Sequence, residues 1–195
     1  MKKDIILAGV GGQGILSIAA IIGTAALDMG LYLKQSEVHG MAQRGGDVSS
    51  NLRISDNEIA SDLIAMGKAD LVIAVEPMEG LRYLPMLSPD GWLIANATPF
   101  KNIPNYPDID SIYAEIAKVK HHVMIDADQI AKDMGSSKVA NVVILGAASS
   151  HLGMDFSTLE KAIISIFGKK GEDVVNLNIN ALKAGREYAE KHSIG

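Results

Sequence analysis

Two short stretches of the chain collect residue types suited to holding an anion or a polar ligand. The first is Gly9-Val10-Gly11-Gly12-Gln13-Gly14, in which Gly9, Gly11 and Gly14 have the spacing G-x-G-x-x-G. Glycines so placed permit a tight turn and a close backbone approach, and a helix starting there offers unpaired N–H groups to a phosphate. Gly11, Gly12, Gln13 and Gly14 are therefore candidate residues of an anion site. The same glycines would equally serve a loop that needs them only to turn and to pack helix on sheet.

The second stretch runs from Glu37 to Gly46. It places a carboxylate (Glu37), an imidazole (His39), an amide (Gln43) and a guanidinium (Arg44) on a segment broken by Gly40, Gly45 and Gly46. Irregular backbone of this kind lets side chains converge on a ligand. Arg44 offers a fork of donors to a carboxylate or phosphate; alternatively it pairs with Glu37 and pins the loop. Glu37 also stands about 20 residues beyond the glycine loop, where a dinucleotide fold keeps its ribose-binding acid. The glycine-broken continuation, where that fold would have a helix, departs from the pattern. A stand-alone NAD(P)-binding oxidoreductase is accordingly the second reading, and a purely structural assembly subunit whose glycine loop binds no ligand is the third. The remaining histidines show no metal-ligand spacing such as H-E-x-x-H, so a metal site is not expected. G-x-S-x-G and G-x-x-x-x-G-K-[ST] are absent too, against a hydrolase triad and a P-loop.

The surrounding pattern supplies the elements that would position these groups. Residues 4–8 read as a buried strand, 15–29 as an apolar helix closed by Gly30, and 31–38 as a second strand parallel to the first through a right-handed crossover. From Val48 to Ser55 the chain alternates, and Asp56-Asn57 turns it into 58–60, a hairpin at the sheet edge. Strands follow at 71–75, 92–95 and 123–125, with helices at 78–87 and 126–134 between or after them. Pro99, Pro104 and Pro107 mark a loop. The rest is helical: Ser157-Thr158-Leu159-Glu160 has capping-box spacing, Gly168 ends that helix, and a long helix covers 172–191. The expectation is one domain over 1–195, a three-layer α/β/α Rossmann-like fold whose sheet is mostly parallel with an edge hairpin.

Composition limits the function. A chain of 195 residues with net charge −5 and 5% aromatics has neither the field nor the stacking surface to gather nucleic acid. No apolar run reaches the ~20 residues that span a bilayer, and Met1-Lys2-Lys3-Asp4 runs straight into a strand without a signal-peptide pattern. A cytoplasmic protein with no membrane partner is expected. Cysteine is absent, which removes disulfides, thiol nucleophiles, thiolate zinc and cysteine-bound iron–sulfur clusters from this chain.

Taken in order, the glycine loop and Ser36-Glu37-Val38-His39-Gly40-Met41-Ala42-Gln43-Arg44-Gly45-Gly46 resemble the gamma component of 2-oxoacid:ferredoxin oxidoreductases, most nearly of the indolepyruvate type. The likeness continues through Glu76-Pro77, Asn141 with Gly146, and Asn178-Ile179-Asn180-Ala181-Leu182-Lys183-Ala184-Gly185. The resemblance implies a subunit that carries no cofactor itself. A large (alpha) subunit would hold thiamine diphosphate, Mg and [4Fe–4S] clusters, decarboxylate the 2-oxoacid and reduce ferredoxin, with coenzyme A taking the acyl group. The G-D-G and distant Asn-Asn pattern of the thiamine domain is not found here. By the same likeness, Gly11 to Gly14 become a candidate anion or coenzyme A site. Glu37, His39, Gln43 and Arg44 become candidates for a substrate or coenzyme A channel, or for the subunit interface.

Overall fold

The structure is a computed structural model and describes residues 1–40, 45–101 and 103–195. In chain order the elements are β1 (Lys2–Val10), α1 (Ile15–Asp28), β2 (Tyr32–His39), β3 (Asp47–Ser55), β4 (Ala69–Ala74), α2 (Pro77–Arg82) and β5 (Leu87–Asn96). Then follow α3 (Ile109–Ile116), β6 (His122–Ile125), α4 (Ala127–Asp133), α5 (Ala140–Ala148), α6 (Phe156–Phe167) and α7 (Glu172–His192). The strands form one sheet in the order β2-β3-β1-β4-β5-β6. β1, β4, β5 and β6 run parallel, while β3 pairs antiparallel with both β1 and β2.

The sheet is covered on both faces because its central strands are apolar on both. Ile5 and Leu7 of β1 join Leu71 and Ile73 of β4 under α1, α4, α5, α6 and α7, whereas Ile6, Val72 and Leu93 face α2 and α3. Each fully buried Ile or Leu of this kind contributes about 1.5–3 kcal/mol. The three-layer α/β/α arrangement with a mostly parallel sheet and an edge hairpin is thus present. α1 stops where it must: Gly30 adopts φ 72°, its N–H bonds Leu27 O at 2.9 Å, and the Leu31 N–H bonds Ala26 O at 3.0 Å. That is a Schellman closure, and only glycine takes this conformation without strain.

Several details differ from the sequence expectation, each for a physical reason. β2 runs in the same direction as β1 but does not pair with it, because β3 lies between. The link from His39 to Asp47 is shorter than the dozen or so residues a parallel crossover needs, so the chain returns antiparallel. The hairpin partner of β3 is therefore β2, and residues 58–60 form no strand. Ser55 already opposes Lys2 on one side and Tyr32 on the other, leaving β3 without a free edge.

α2 ends at Arg82 rather than continuing to Leu87. Pro85 has no N–H and would clash with the carbonyl of residue 81, so Leu84–Met86 make a 3-10 turn and Leu87 opens β5. α3, unforeseen behind the proline loop, starts at Asp108, whose side chain accepts from the Ser111 N–H at 3.3 Å. The capping box is not formed. Asp155 is the N-cap of α6 and Ser157 already lies inside the helix, with no side-chain cap bond. Gly168 does follow the last residue of α6, yet with an ordinary helical φ of −53°, and the sharp break comes at Gly171.

Candidate functional site

The glycine loop joins β1 to α1 at the carboxyl end of the sheet, where α/β folds hold ligands. Gly12 (φ 100°) and Gly14 (φ 80°) are left-handed. Gly14 is the N-cap of α1, so the helix begins without a capping side chain and without an acid in its first turn. Among the described residues the N–H groups of Gly12, Gly14, Ile15 and Leu16 meet no protein acceptor. A helix end in this state attracts negative charge through its unpaired donors and its dipole.

The other loop members are engaged in building the turn. The Gln13 Oε1 accepts from the Val10 N–H at 2.8 Å and its Nε2 donates to Val75 O at 3.3 Å, so this side chain clips β1 to the end of β4. The Gly11 N–H bonds Gly46 O at 2.9 Å, fastening the loop to the residue that leads into β3 at the turn end of the β2–β3 hairpin. Gly14 O accepts from Asn141 Nδ2 at 3.0 Å, and a Cβ at Gly14 would stand 2.5 Å from that nitrogen. Gly12 has open space around it.

Two clefts flank the loop. One, of about 420 Å³, is lined by Gly12, Gly14, Phe100, Asp128, Lys138 and Asn141, among others. Asn96 braces its floor: Nδ2 donates to Val75 O at 3.2 Å and to Asp128 Oδ2 at 2.7 Å, while Oδ1 accepts from the Ala127 N–H at 3.2 Å. The Lys138 ammonium forms no ion pair among the described residues. The other cleft, of about 510 Å³, lies between the start of α1 and the hairpin. Val10, Ile15, Leu16 and Val48 give it apolar walls, and His39 and Gly40 stand at its rim. Gly12 and Gly14 belong to both.

Glu37 and His39 are neighbours on outer strand β2, with Glu37 Oε2 3.1 Å from His39 Nε2. Gln35 Nε2 donates to the other oxygen of Glu37 and also to Ser50 Oγ at 3.2 Å. Glu37 lines neither cleft, and both its carboxylate oxygens are engaged on β2 itself, by Gln35 and His39. A ribose clamp by Glu37 at the glycine loop is thereby disfavoured, and the dinucleotide reading with it. Gln43 and Arg44 lie outside the described residues, and so does any Arg44–Glu37 pair. Among the described residues no group of three or more His, Asp or Glu gathers as metal ligands.

A buried polar network around α2 was not anticipated as a site. Glu76 is wholly buried; its Oε2 accepts from the Glu79 N–H at 2.9 Å, and its Oε1 accepts from the Phe100 N–H at 3.2 Å and from the Tyr106 hydroxyl. Burial, then the bond to Glu76, pushes the Tyr106 phenol well above its ordinary range. Glu79 is also buried and takes Arg82 Nε at 2.7 Å. Desolvation raises its carboxyl above the usual value, Arg82 opposes this, and Asp47 adds to it. Tyr83 donates to Asp47 Oδ2 at 3.1 Å. The short helix α2 thus reaches the 97–108 segment with one carboxylate and the start of β3 with the other. The only trace of this in the sequence is Glu76-Pro77, an acid followed by a proline suited to the first helical position.

Comparison with known proteins gives a consistent set. Residues 4–188 match the family described as pyruvate ferredoxin/flavodoxin oxidoreductase. Indolepyruvate oxidoreductase subunit IorB of Archaeoglobus fulgidus is 39% identical over 200 residues, covering 97% of this chain and 96% of that protein. The keto/oxoacid ferredoxin oxidoreductase gamma subunit of Geobacter sulfurreducens PCA is similar with TM-score 0.70 and 28% identity, over 97% of this chain and 99% of that one. The 2-oxoglutarate:ferredoxin oxidoreductase of Magnetococcus marinus, solved with 2-oxoglutarate, coenzyme A and succinyl-CoA bound, gives TM-score 0.77 at 26% identity. There the likeness covers 97% of this chain but 31% of the longer chain.

Proposed function

We propose, from the premise that this chain belongs to the pyruvate ferredoxin/flavodoxin oxidoreductase family as a subunit of a 2-oxoacid:ferredoxin oxidoreductase, that it forms the coenzyme A side of a cytoplasmic enzyme whose redox centres sit on a larger partner. That partner carries thiamine diphosphate, Mg and [4Fe–4S] clusters, which supply decarboxylation and the exit of two electrons to ferredoxin. The reaction converts a 2-oxoacid and coenzyme A to acyl-CoA and CO2. The name of the Archaeoglobus relative favours indolepyruvate or another aryl pyruvate as substrate. The absence of cysteine supports the division of labour, because no cluster ligand is available here.

This chain's own contribution is binding and orientation. The observation that carries the reading is the uncapped start of α1, where Gly12 and Gly14, whose N–H groups meet no protein acceptor among the described residues, line the cleft that also holds Lys138. Phosphate groups suit such donors, and the Magnetococcus relative has coenzyme A bound. Gly11 and Gln13 shape the loop without offering free donors. His39 at the rim of the second cleft, with Glu37, Gln43 and Arg44 near it in sequence, belongs on this reading to the wall of the channel or to the partner interface. The test is the assembled enzyme, assayed by oxoacid-dependent reduction of a low-potential dye. Lys138→Ala should raise the KM for coenzyme A about tenfold, the loss of one charge-assisted bond, with kcat little changed. An unaltered KM in an intact complex refutes the site.

A further inference from the structure

The two clefts share the glycine loop but differ in chemistry, and that difference has a direction. The Lys138 cleft is polar, with Asn96, Asp128 and Asn141 in its lining, and Phe100 is its one aromatic residue. Phe100 is 43% exposed, which is costly for a bare loop phenyl, yet its backbone is held firmly. Its N–H bonds the fully buried Glu76 at 3.2 Å, and Tyr106, six residues on, donates to the same carboxylate oxygen. Tyr113 adds a bond to Ala97 O at 2.6 Å at the other end of the segment. A flat apolar face fixed beside hydroxyl-binding groups suits a purine and its ribose. The cleft on the far side of Gly12 and Gly14 is walled by Val10, Ile15, Leu16 and Val48 and suits a narrow arm that presents methyl and methylene groups, as the gem-dimethyl and ethylene units of pantetheine do.

We propose that Phe100, positioned by Glu76 and Tyr106, is the platform on which the adenine of coenzyme A stacks, so that the pantetheine arm passes the glycine loop toward Leu16 and His39. The inference rests on the reading that coenzyme A binds at this loop. It assigns the nucleotide end to one cleft and the thiol end to the other, next to the segment that carries the second set of candidate residues. Phe100 is then a specificity-determining residue, and Glu76 and Tyr106 are positioning residues acting through it.

The experiment compares coenzyme A with 4′-phosphopantetheine, which lacks the adenosine 3′,5′-bisphosphate portion, as acyl acceptor in the assembled enzyme. Phe100→Ala should raise the KM for coenzyme A about tenfold or more, the worth of one base–aromatic stack, and leave kcat and the KM for phosphopantetheine unchanged. Phe100→Trp should restore the coenzyme A value. Tyr106→Phe, which frees the segment without touching ligand, should move the coenzyme A KM in the same direction by less. Leu16→Asp in the apolar cleft should raise KM for both acceptors. If Phe100→Ala changes neither KM, or both equally, the platform is wrong. If Leu16→Asp leaves both unchanged, the direction of the arm is wrong. Lys138→Ala separates the levels: its failure to alter the coenzyme A KM removes the cleft itself, whereas an effect of Lys138 without one of Phe100 removes only the platform.

Discussion

Gly12 and Gly14 look alike in the sequence and have different tasks in the structure. Both hold positive φ, a cost of about 1–2 kcal/mol for any residue with a Cβ, but only Gly14 is also crowded, by Asn141 at 2.5 Å. Gly14→Ala should therefore lower the urea midpoint clearly more than Gly12→Ala, whose new methyl meets nothing. The order of the two midpoints checks this. The spacing of the glycines was legible because positive φ leaves a compositional mark. The role of Gln13 was not, since its amide is engaged by Val10 and Val75, residues brought together only by β1–β4 pairing. At the opposite end of the sheet Trp92, the sole tryptophan, stacks on His151 at 4.0 Å and on His121 at 5.2 Å. Burial, then Lys3 and His121, lowers the His151 pKa below the usual imidazole value. A depressed folded-state value means that the neutral ring stabilises the fold fully above about pH 6.5 and that this is lost as pH falls through the lowered value. Fluorescence of Trp92 followed against pH should drop on that acid side, as an imidazolium forms against the indole, and His151→Gln should remove most of the drop.

Elements were read well where periodicity alone sets them and poorly where a neighbour does. The apolar runs of β1 and β4 declare burial on both faces, and α1 declares its end through Gly30. The position of β3 between β1 and β2 is decided by pairing across the sheet, which no local pattern records. The apolar residues of α2 continue past Arg82 in the sequence and predict a longer helix; Pro85 overrules them. A comparable long-range constraint governs α5 and α7, the tightest helix pair. A Cβ at Gly185 would lie 1.8 Å from Val143 O, and one at Gly146 would lie 2.0 Å from Leu182 O. Since each obstacle is backbone, the helices would have to separate. Either glycine to alanine should cost about 1–3 kcal/mol or more, read as a fall in the denaturation midpoint, despite the gain in helix propensity that the same change gives on an open helix face. A midpoint unchanged or raised would show that the two axes are not pressed together.

At the scale of the molecule, the chain is a scaffold that brings one helix start, one lysine and one aromatic ring around a loop, while lacking the cysteine thiolates that would hold an iron–sulfur centre. Five helices cover one face of the sheet and α2 and α3 the other among the described residues, and the outer strand β2 is largely exposed. No described helix is long and apolar enough to cross a membrane. The overall likeness was legible because its motifs are spread from the glycine loop to Gly185, whereas the two-cleft geometry required segments far apart in sequence to meet. Redox dependence follows from composition. The purified chain, supplied with indolepyruvate, coenzyme A and a low-potential dye, should give no oxoacid-dependent reduction. Addition of the larger partner chain, proposed to bear the thiamine and clusters, should create the activity, and omitting coenzyme A should lower it, because the acyl group then has no acceptor. Two electrons leaving a 2-oxoacid need a carrier, and with no cysteine in 195 residues an iron–sulfur carrier has nowhere to be ligated on this subunit. Dye reduction by the chain alone, at a rate scaling with its concentration, would mean that the electrons take a route other than a borrowed cluster.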